Sequence, residues 1–313
     1  MEIDVAQWVI LFFGTAAAGW VDAVIGGGGL ILIPMLLAVL PGLAPAAALG
    51  TSKLAAVTGT GSAAVTLARK VKLDKAEMAR FLLIALVCSG LGASVASSLD
   101  KDVMRPIIIV LMVAVGIFVA FKPDFGSSDS AGTRGGWRSV VVLLLSAVIS
   151  FYDGIFGPGT GMFLIMAFTS IFAQNFLTSA AMAKVVNTAT NFGALVVFII
   201  GGHVWWTLGI VLAVANIAGA QLGARTVLGG GAKLIRYALL ILVVVMSQSM
   251  AASRPEGTGR RSGARSSRWV ASGQGRRRCS AGYMSSLAAG VPSAMRWSSG
   301  PSHSAGSAES TSG

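Results

Sequence analysis

Apolar runs of about twenty residues, cut by short polar clusters, fill the chain from residue 5 to residue 248. Five lie in the first half, at about 5–21, 24–40, 46–68, 79–99 and 104–121. A hydrophilic stretch at 122–137 follows, and five more runs lie at about 138–152, 155–173, 178–200, 205–224 and 233–248. Ile107 to Phe121 and Val140 to Tyr152 carry no charge, and Val185 to Trp206 has only His203 as a titratable group. A helix needs roughly 20 mostly apolar residues to cross a bilayer. Barrel strands would instead show short alternating segments, which the pattern lacks. The expectation is an all-α polytopic membrane protein.

The two halves repeat at a constant offset of 131 residues without gaps. Asp22 falls on Asp153, Gly26 on Gly157 and Gly28 on Gly159. Lys53 falls on Lys184, Leu91-Gly92 on Leu222-Gly223 and Arg105 on Arg236. Chance matching among Ala, Gly, Leu and Val explains the glycines but not three charge matches in one register. Internal repeats of this kind build many secondary transporters.

Basic loops face the cytoplasm. The loop after the third segment reads Arg69-Lys70-Val71-Lys72-Leu73-Asp74-Lys75, so it is placed inside. Its repeat mate, Gly201 to Trp206, has no Lys or Arg and belongs outside, while Arg225 to Arg236 is basic. One unit with opposite charge bias in its two copies implies inverted repeats. The expected total is 8–10 spans, the first two segments of each half either crossing or re-entering as a hairpin. The organisation is then a first repeat (1–121), a cytoplasmic linker loop (122–137), a second repeat (138–248) and a low-complexity Arg/Ser/Gly tail (249–313). That tail has no span, is expected to be disordered, and has the composition of coding sequence read in a shifted frame from about residue 247.

Composition agrees with lipid as the solvent. The 313 residues are 54% hydrophobic and 12% charged, against about 25% charged in soluble domains. The net charge of +12 does not point to nucleic acid, because 9 of the 24 basic residues are arginines of the tail. Such a tail is usually solvated chain. Cys88 and Cys279 form neither a disulfide framework nor a metal site, and no cofactor is expected. The N-terminus starts Met-Glu-Ile-Asp, the wrong charge for a secretory signal peptide.

Two Gly-rich breaks carry the first candidate chemistry: Asp22 to Gly29, and Asp153 to Gly161 with its Gly-Pro-Gly-Thr-Gly run. Glycine runs and Gly-Pro disfavour continuous helix. Inside lipid, broken backbone survives only when buried in protein or lining a wet cavity. Helix N-termini after such breaks suit an anion, which makes Gly28, Gly159 and Thr160 candidates. Close packing of small residues is the plain alternative. Lys53, preceded by Thr51, and Lys184 sit in apolar segments, where an ammonium costs at least about 2.5 kcal/mol. Snorkelling to the headgroups is the competing explanation. Lys184, Asn187 and Asn191 share one helix face, a stripe suited to an oxyanion; in the first half the stripe is Lys53, Ala56 and Thr60. Asp22 and Asp153 are candidates for partners of the lysines or for proton carriers, or else are interfacial carboxylates tied to backbone N–H groups.

These residues resemble the TauE/SafE family of membrane permeases, the sulfite exporter group. The likeness rests on Asp-x-x-x-Gly-Gly-Gly-Gly followed by Leu-Ile-x-Pro (Ile31 to Pro34) and on Gly50-Thr51-Ser52-Lys53. In the second half it rests on Asp153-Gly-x-x-Gly-Pro-Gly-Thr-Gly and Asn187-x-x-x-Asn191. It covers about 5–247 and implies a multi-pass carrier of small anions in the bacterial inner membrane, with sulfite, sulfonates or other sulfur-containing acids as substrates. It also implies a closing helix, which is cut short or replaced after Val245.

The function expected is a secondary transporter working by alternating access, with an anion channel as the alternative. An intramembrane aspartyl protease lacks its Gly-x-Gly-Asp signature here, and a rhomboid-type site lacks Gly-x-Ser-Gly. The protein is not expected to be an enzyme. The partners expected are a small anionic substrate and the lipid bilayer, with a homodimer left open.

Overall fold

A computed structural model of the protein describes residues 3–100, helical positions scattered between 103 and 115, and residues 136–229. Most of the linker, the tenth apolar segment, Arg105, Arg236 and the whole tail lie outside the described residues. Among those described, the structure is helical: α1 (Val5–Ile25), α2 (Gly29–Val39), α3 (Pro45–Ala68), α4 (Lys75–Ser97), α5 (Gly136–Ile155), α6 (Thr160–Phe172), α7 (Phe176–Ile200) and α8 (Trp206–Leu228). Gly136 and Trp137, expected in the linker, already belong to α5.

Local chemistry sets the ends. α1 runs through the break expected at residue 21, because Val21, Ala23, Val24 and Ile25 are buried and continue the helix. It stops at Gly26, whose φ of 84° suits a residue without Cβ. Pro45 occupies the first turn of α3, where a missing N–H costs nothing. Asp74 caps α4 by accepting from the N–H groups of Ala76 (2.9 Å) and Glu77 (3.3 Å). Asn175 caps α7 by accepting from Thr178 N–H at 2.8 Å.

The offset of 131 that relates the sequence halves also relates the helices. It carries the first residues of α1, α2, α3 and α4 onto those of α5, α6, α7 and α8, and the last residue of α4 onto that of α8. Packing obeys the same rule with the halves interlocked. α1 packs on α8 and its mate α5 on α4; α3 packs on α8 and its mate α7 on α4; α3 and α7 pack on each other. The glycines at the crossings correspond too. Gly92 lies against Phe151 and Gly154, and Gly223 lies against Trp20 and Ala23, each pair 131 residues apart.

Helix directions follow from matched contacts. α3 and α8 run the same way, with Gly50 at His203, Gly59 at Asn216 and Thr66 bonded to Gln221. α3 and α7 run opposite ways, with Gly50 at Phe198 and Gly61 at Thr188. α1 and α2 form a hairpin in which Gly14 faces Met35 and Gln7 Nε2 donates to the Val39 carbonyl at 3.0 Å. Its tip meets that of the α5–α6 hairpin, Gly26 against Gly161 and Gly29 against Pro158.

Among the described residues five helices are long and apolar enough to cross a membrane: α1, α4, α5, α7 and α8. Leu83, Leu91, Leu144, Val148, Ile200 and Val214 are exposed on them, an apolar surface that suits lipid and not water. The protein is a multi-pass membrane protein. α2 has 11 residues, so at 1.5 Å per residue it covers roughly half of a 30 Å hydrocarbon core. α3 is long but polar, carrying Thr51, Ser52, Lys53 and Thr60 into the interior.

Candidate functional site

Two buried ion pairs hold the hairpin breaks against the central helices. Lys53 of α3 donates to Asp153 Oδ2 at 2.8 Å and to the Asp153 carbonyl at 2.7 Å. Lys184 of α7 donates to Asp22 Oδ2 at 2.9 Å and to the Asp22 carbonyl. Lys184 is wholly buried, so neither snorkelling nor a headgroup explains it. Each lysine of one half is neutralised by the aspartate of the other. The carbonyl contacts have a common cause. Residues 22 and 153 lie in the last turns of α1 and α5, where the macrodipole is negative and a carbonyl has a lone pair to spare; the Asp22 carbonyl takes Lys184 beside the Gly26 N–H, which it accepts at 2.7 Å. On the C-terminal side of each break the structure thus seats a lysine ammonium, a contact the glycine pattern did not announce.

The pairs are alike in connectivity but not in surroundings. Asp22 also accepts from the Thr60 hydroxyl at 3.0 Å and, more distantly, from Gly28 N–H at 3.4 Å. At Asp153 the carboxylate has Lys53 alone among the described residues. The mate of Thr60 is Asn191, whose Nδ2 donates instead to the Asn187 carbonyl (2.7 Å) and to Asn187 Oδ1 (3.3 Å).

Between the pairs lies a cavity of about 40 Å³, room for a few waters. Lys53, Asp153, Asp22, Thr60, Asn187, Asn191 and Asn216 give it polar walls, and Gly26, Gly28, Gly29 and Gly157 bring the hairpin tips to its edge. Asn216 of α8 is 5% exposed and its amide makes no hydrogen bond among the described residues.

A family model for the sulfite exporter TauE/SafE matches residues 11–250. The chain belongs to the TauE/SafE family. It is 36% identical over 241 residues to the probable membrane transporter protein YfcA of Escherichia coli (strain K12), covering 77% of this chain and 88% of that one. It is also 36% identical over 252 residues to a probable membrane transporter protein of Haemophilus influenzae, covering 80% and 96%. No solved structure matches it.

In this TauE/SafE chain the residues singled out from sequence divide into three groups. Lys53, Asn187, Asn191, Gly28, Asp22 and Asp153 line the cavity. Lys184 lies behind it, on Asp22. Thr51, Gly159 and Thr160 lie outside the lining. The Thr51 hydroxyl accepts the Trp205 N–H at 3.0 Å at the start of α8, and Thr160 Oγ1 donates to the Gly157 carbonyl at 2.9 Å across the break. Gly159 has φ 82° and faces Val115. Asn216, Ser52 and Phe156 are lining residues that sequence reasoning missed. The signal for Asn216 was an amide in the middle of an apolar run, hidden because its repeat mate is Ala85.

Proposed function

We propose that the protein is a secondary transporter of small anions, with sulfite and sulfonates as the substrate class, in the inner membrane of a bacterium. The observation that carries the reading is the cavity between two touching hairpin tips, bracketed by Lys53–Asp153 and Lys184–Asp22. Broken helices that meet at an internal site are how many carriers bind ions and substrates. Repeat mates α3 and α7 run in opposite directions, which supports repeats of opposite orientation in the bilayer. Their loops agree: the basic one after α3 lies inside, and the Trp-bearing one after α7 lies outside.

In this reading Lys53, Asn187 and Asn191 meet the anion. Gly28 and Gly159 let the hairpins bend beside it, and Thr160 holds the second break. Asp22 and Asp153 couple transport to ions, and Lys184 keeps Asp22 in place. Thr51 acts at one remove, by fixing α8 to α3. Exchange of conformation between the repeats moves access from one side to the other. The names of the relatives and of the family support the transporter class, and a non-enzymatic role with it.

The test is uptake and counterflow of labelled sulfite, sulfate, taurine, sulfoacetate and methanesulfonate in proteoliposomes. Saturable counterflow of any of them is expected. Ohmic current without counterflow, or no flux of any of the five, would overturn the carrier reading.

A further inference from the structure

The lysines that mark this cavity are already neutralised. Two ammonium groups and two carboxylates, from Lys53, Lys184, Asp22 and Asp153, make a cluster of net charge zero inside apolar helices. An anion that simply joined them would leave an uncompensated negative charge in a low-dielectric interior. We infer that the anion is carried together with one proton, and that the proton rides on Asp153. This rests on the carrier reading above.

The choice of Asp153 over Asp22 comes from their hydrogen bonds. Asp22 is held by Lys184, by the Thr60 hydroxyl and, at longer range, by Gly28 N–H. Asp153 is held through its carboxylate by Lys53 alone among the described residues, and both line the cavity. Among the described residues the surroundings of Asp153 offer no rival partner. Facing it are Lys53 from α3 and, across the cavity, Asp22 of α1, which Lys184 of α7 holds. Tyr152, on α5 itself, donates its hydroxyl to the Pro158 carbonyl. α6 has no titratable residue. α4 carries an exposed Lys75 in its first turn, Glu77 and Arg80 at the other end of α5, beside Ser139 and Leu143, and a half-buried Cys88.

The step balances. A proton from water adds to Asp153 Oδ2, and the Lys53–carboxylate bond breaks while the ammonium keeps its three protons. The freed ammonium then takes an oxygen of the anion, with the amides of Asn187 and Asn216 beside it. On the far side the anion leaves, Asp153 returns its proton to water and the ion pair re-forms. A monoanion therefore moves without net charge.

The test uses the full chain in proteoliposomes with labelled methanesulfonate, a permanent monoanion that brings no proton of its own. Counterflow is measured first. A pH gradient, alkaline inside, and a valinomycin potential, positive inside, are then imposed separately. The expected result is accumulation with the pH gradient and none with the potential. Asp153→Asn is expected to lose the pH-driven accumulation, and Asp22→Asn to stay pH-driven at a lower rate. Accumulation driven by potential in the unmodified protein overturns the inference while leaving the carrier reading intact. Should Asp153→Asn not insert, loss of the pH response in Asp22→Asn overturns the assignment to Asp153. Absence of counterflow by the unmodified protein with methanesulfonate and with every other anion of the panel overturns the carrier reading, and this inference with it.

Discussion

The ammonium of Lys53, in the first repeat, lies 2.8 Å from the carboxylate of Asp153, in the second, and both side chains are almost wholly buried. Lys184 and Asp22 repeat the arrangement with the halves exchanged. A charge in a span is costly unless paired, so each pair is also a packing instruction that draws one half's hairpin onto the other half's central helix.

Removing one member of the first pair should therefore cost more than removing both. Lys53→Met or Asp153→Leu alone is expected to destabilise by about 3–5 kcal/mol, because an uncompensated buried charge remains. The double variant should recover most of that and still lack transport. Thermal unfolding in detergent beside the counterflow assay checks this, and a double variant no more stable than the singles would contradict it.

Asn216 should separate binding from folding. Its amide makes no hydrogen bond among the described residues, so Asn216→Ala leaves no partner orphaned. A bond to a charged ligand is worth about 1.5–3 kcal/mol. The expected outcome is at least a roughly tenfold rise in apparent KM for the transported anion with Tm little changed. An unaltered KM would remove Asn216 from the site.

Gly92 and Gly223 should behave as a pair. A Cβ at either would run into the carbonyl of the neighbouring hairpin helix, at Phe151 or at Trp20. Alanine at either position is expected to destabilise by about 1–3 kcal/mol, as overpacking does. Normal stability and flux in Gly92→Ala would show that α4 and α5 are free to separate.

Thr51→Val should act on stability and not on affinity. The hydroxyl accepts the Trp205 N–H at 3.0 Å, and its loss is expected to cost about 1 kcal/mol while KM stays constant. A raised KM without a fall in Tm would return Thr51 to the substrate.

Orientation is open to a direct check. With Cys88 and Cys279 replaced, single cysteines at Lys72 and Gly202 should react with a membrane-impermeant thiol reagent from opposite faces, Gly202→Cys in intact cells and Lys72→Cys only after permeabilisation. Labelling of both from one side would rule out inverted repeats.

Much of this was legible in the sequence, for identifiable reasons. The repeat showed itself because buried charges are rare in apolar helices, so Asp22/Asp153 and Lys53/Lys184 stand out in register. Membership of the TauE/SafE family followed from the same residues. What the offset could not say was which aspartate meets which lysine, since a repeat fixes equivalence and not contact. The exchange between halves is a property of packing α3 on α7 and appears only in three dimensions. A hydroxyl beside a buried lysine reads like a ligand in sequence, and only the fold shows that the Thr51 hydroxyl accepts the Trp205 N–H at the N-terminal end of α8. Asn216 was missed because attention to symmetric positions hides a residue whose mate is alanine.

The exchanged pairs bear on what a lone half would be. Severed from its sister, the first repeat would hold Lys53 and Asp22 with neither partner, and α1 and α4 would each lose the helix they pack on most closely. Its natural way to settle would be against another molecule of itself lying head to tail. Joining two such units in one polypeptide fixes them in equal number and lets matched positions carry different residues, as Asn216 opposite Ala85 does.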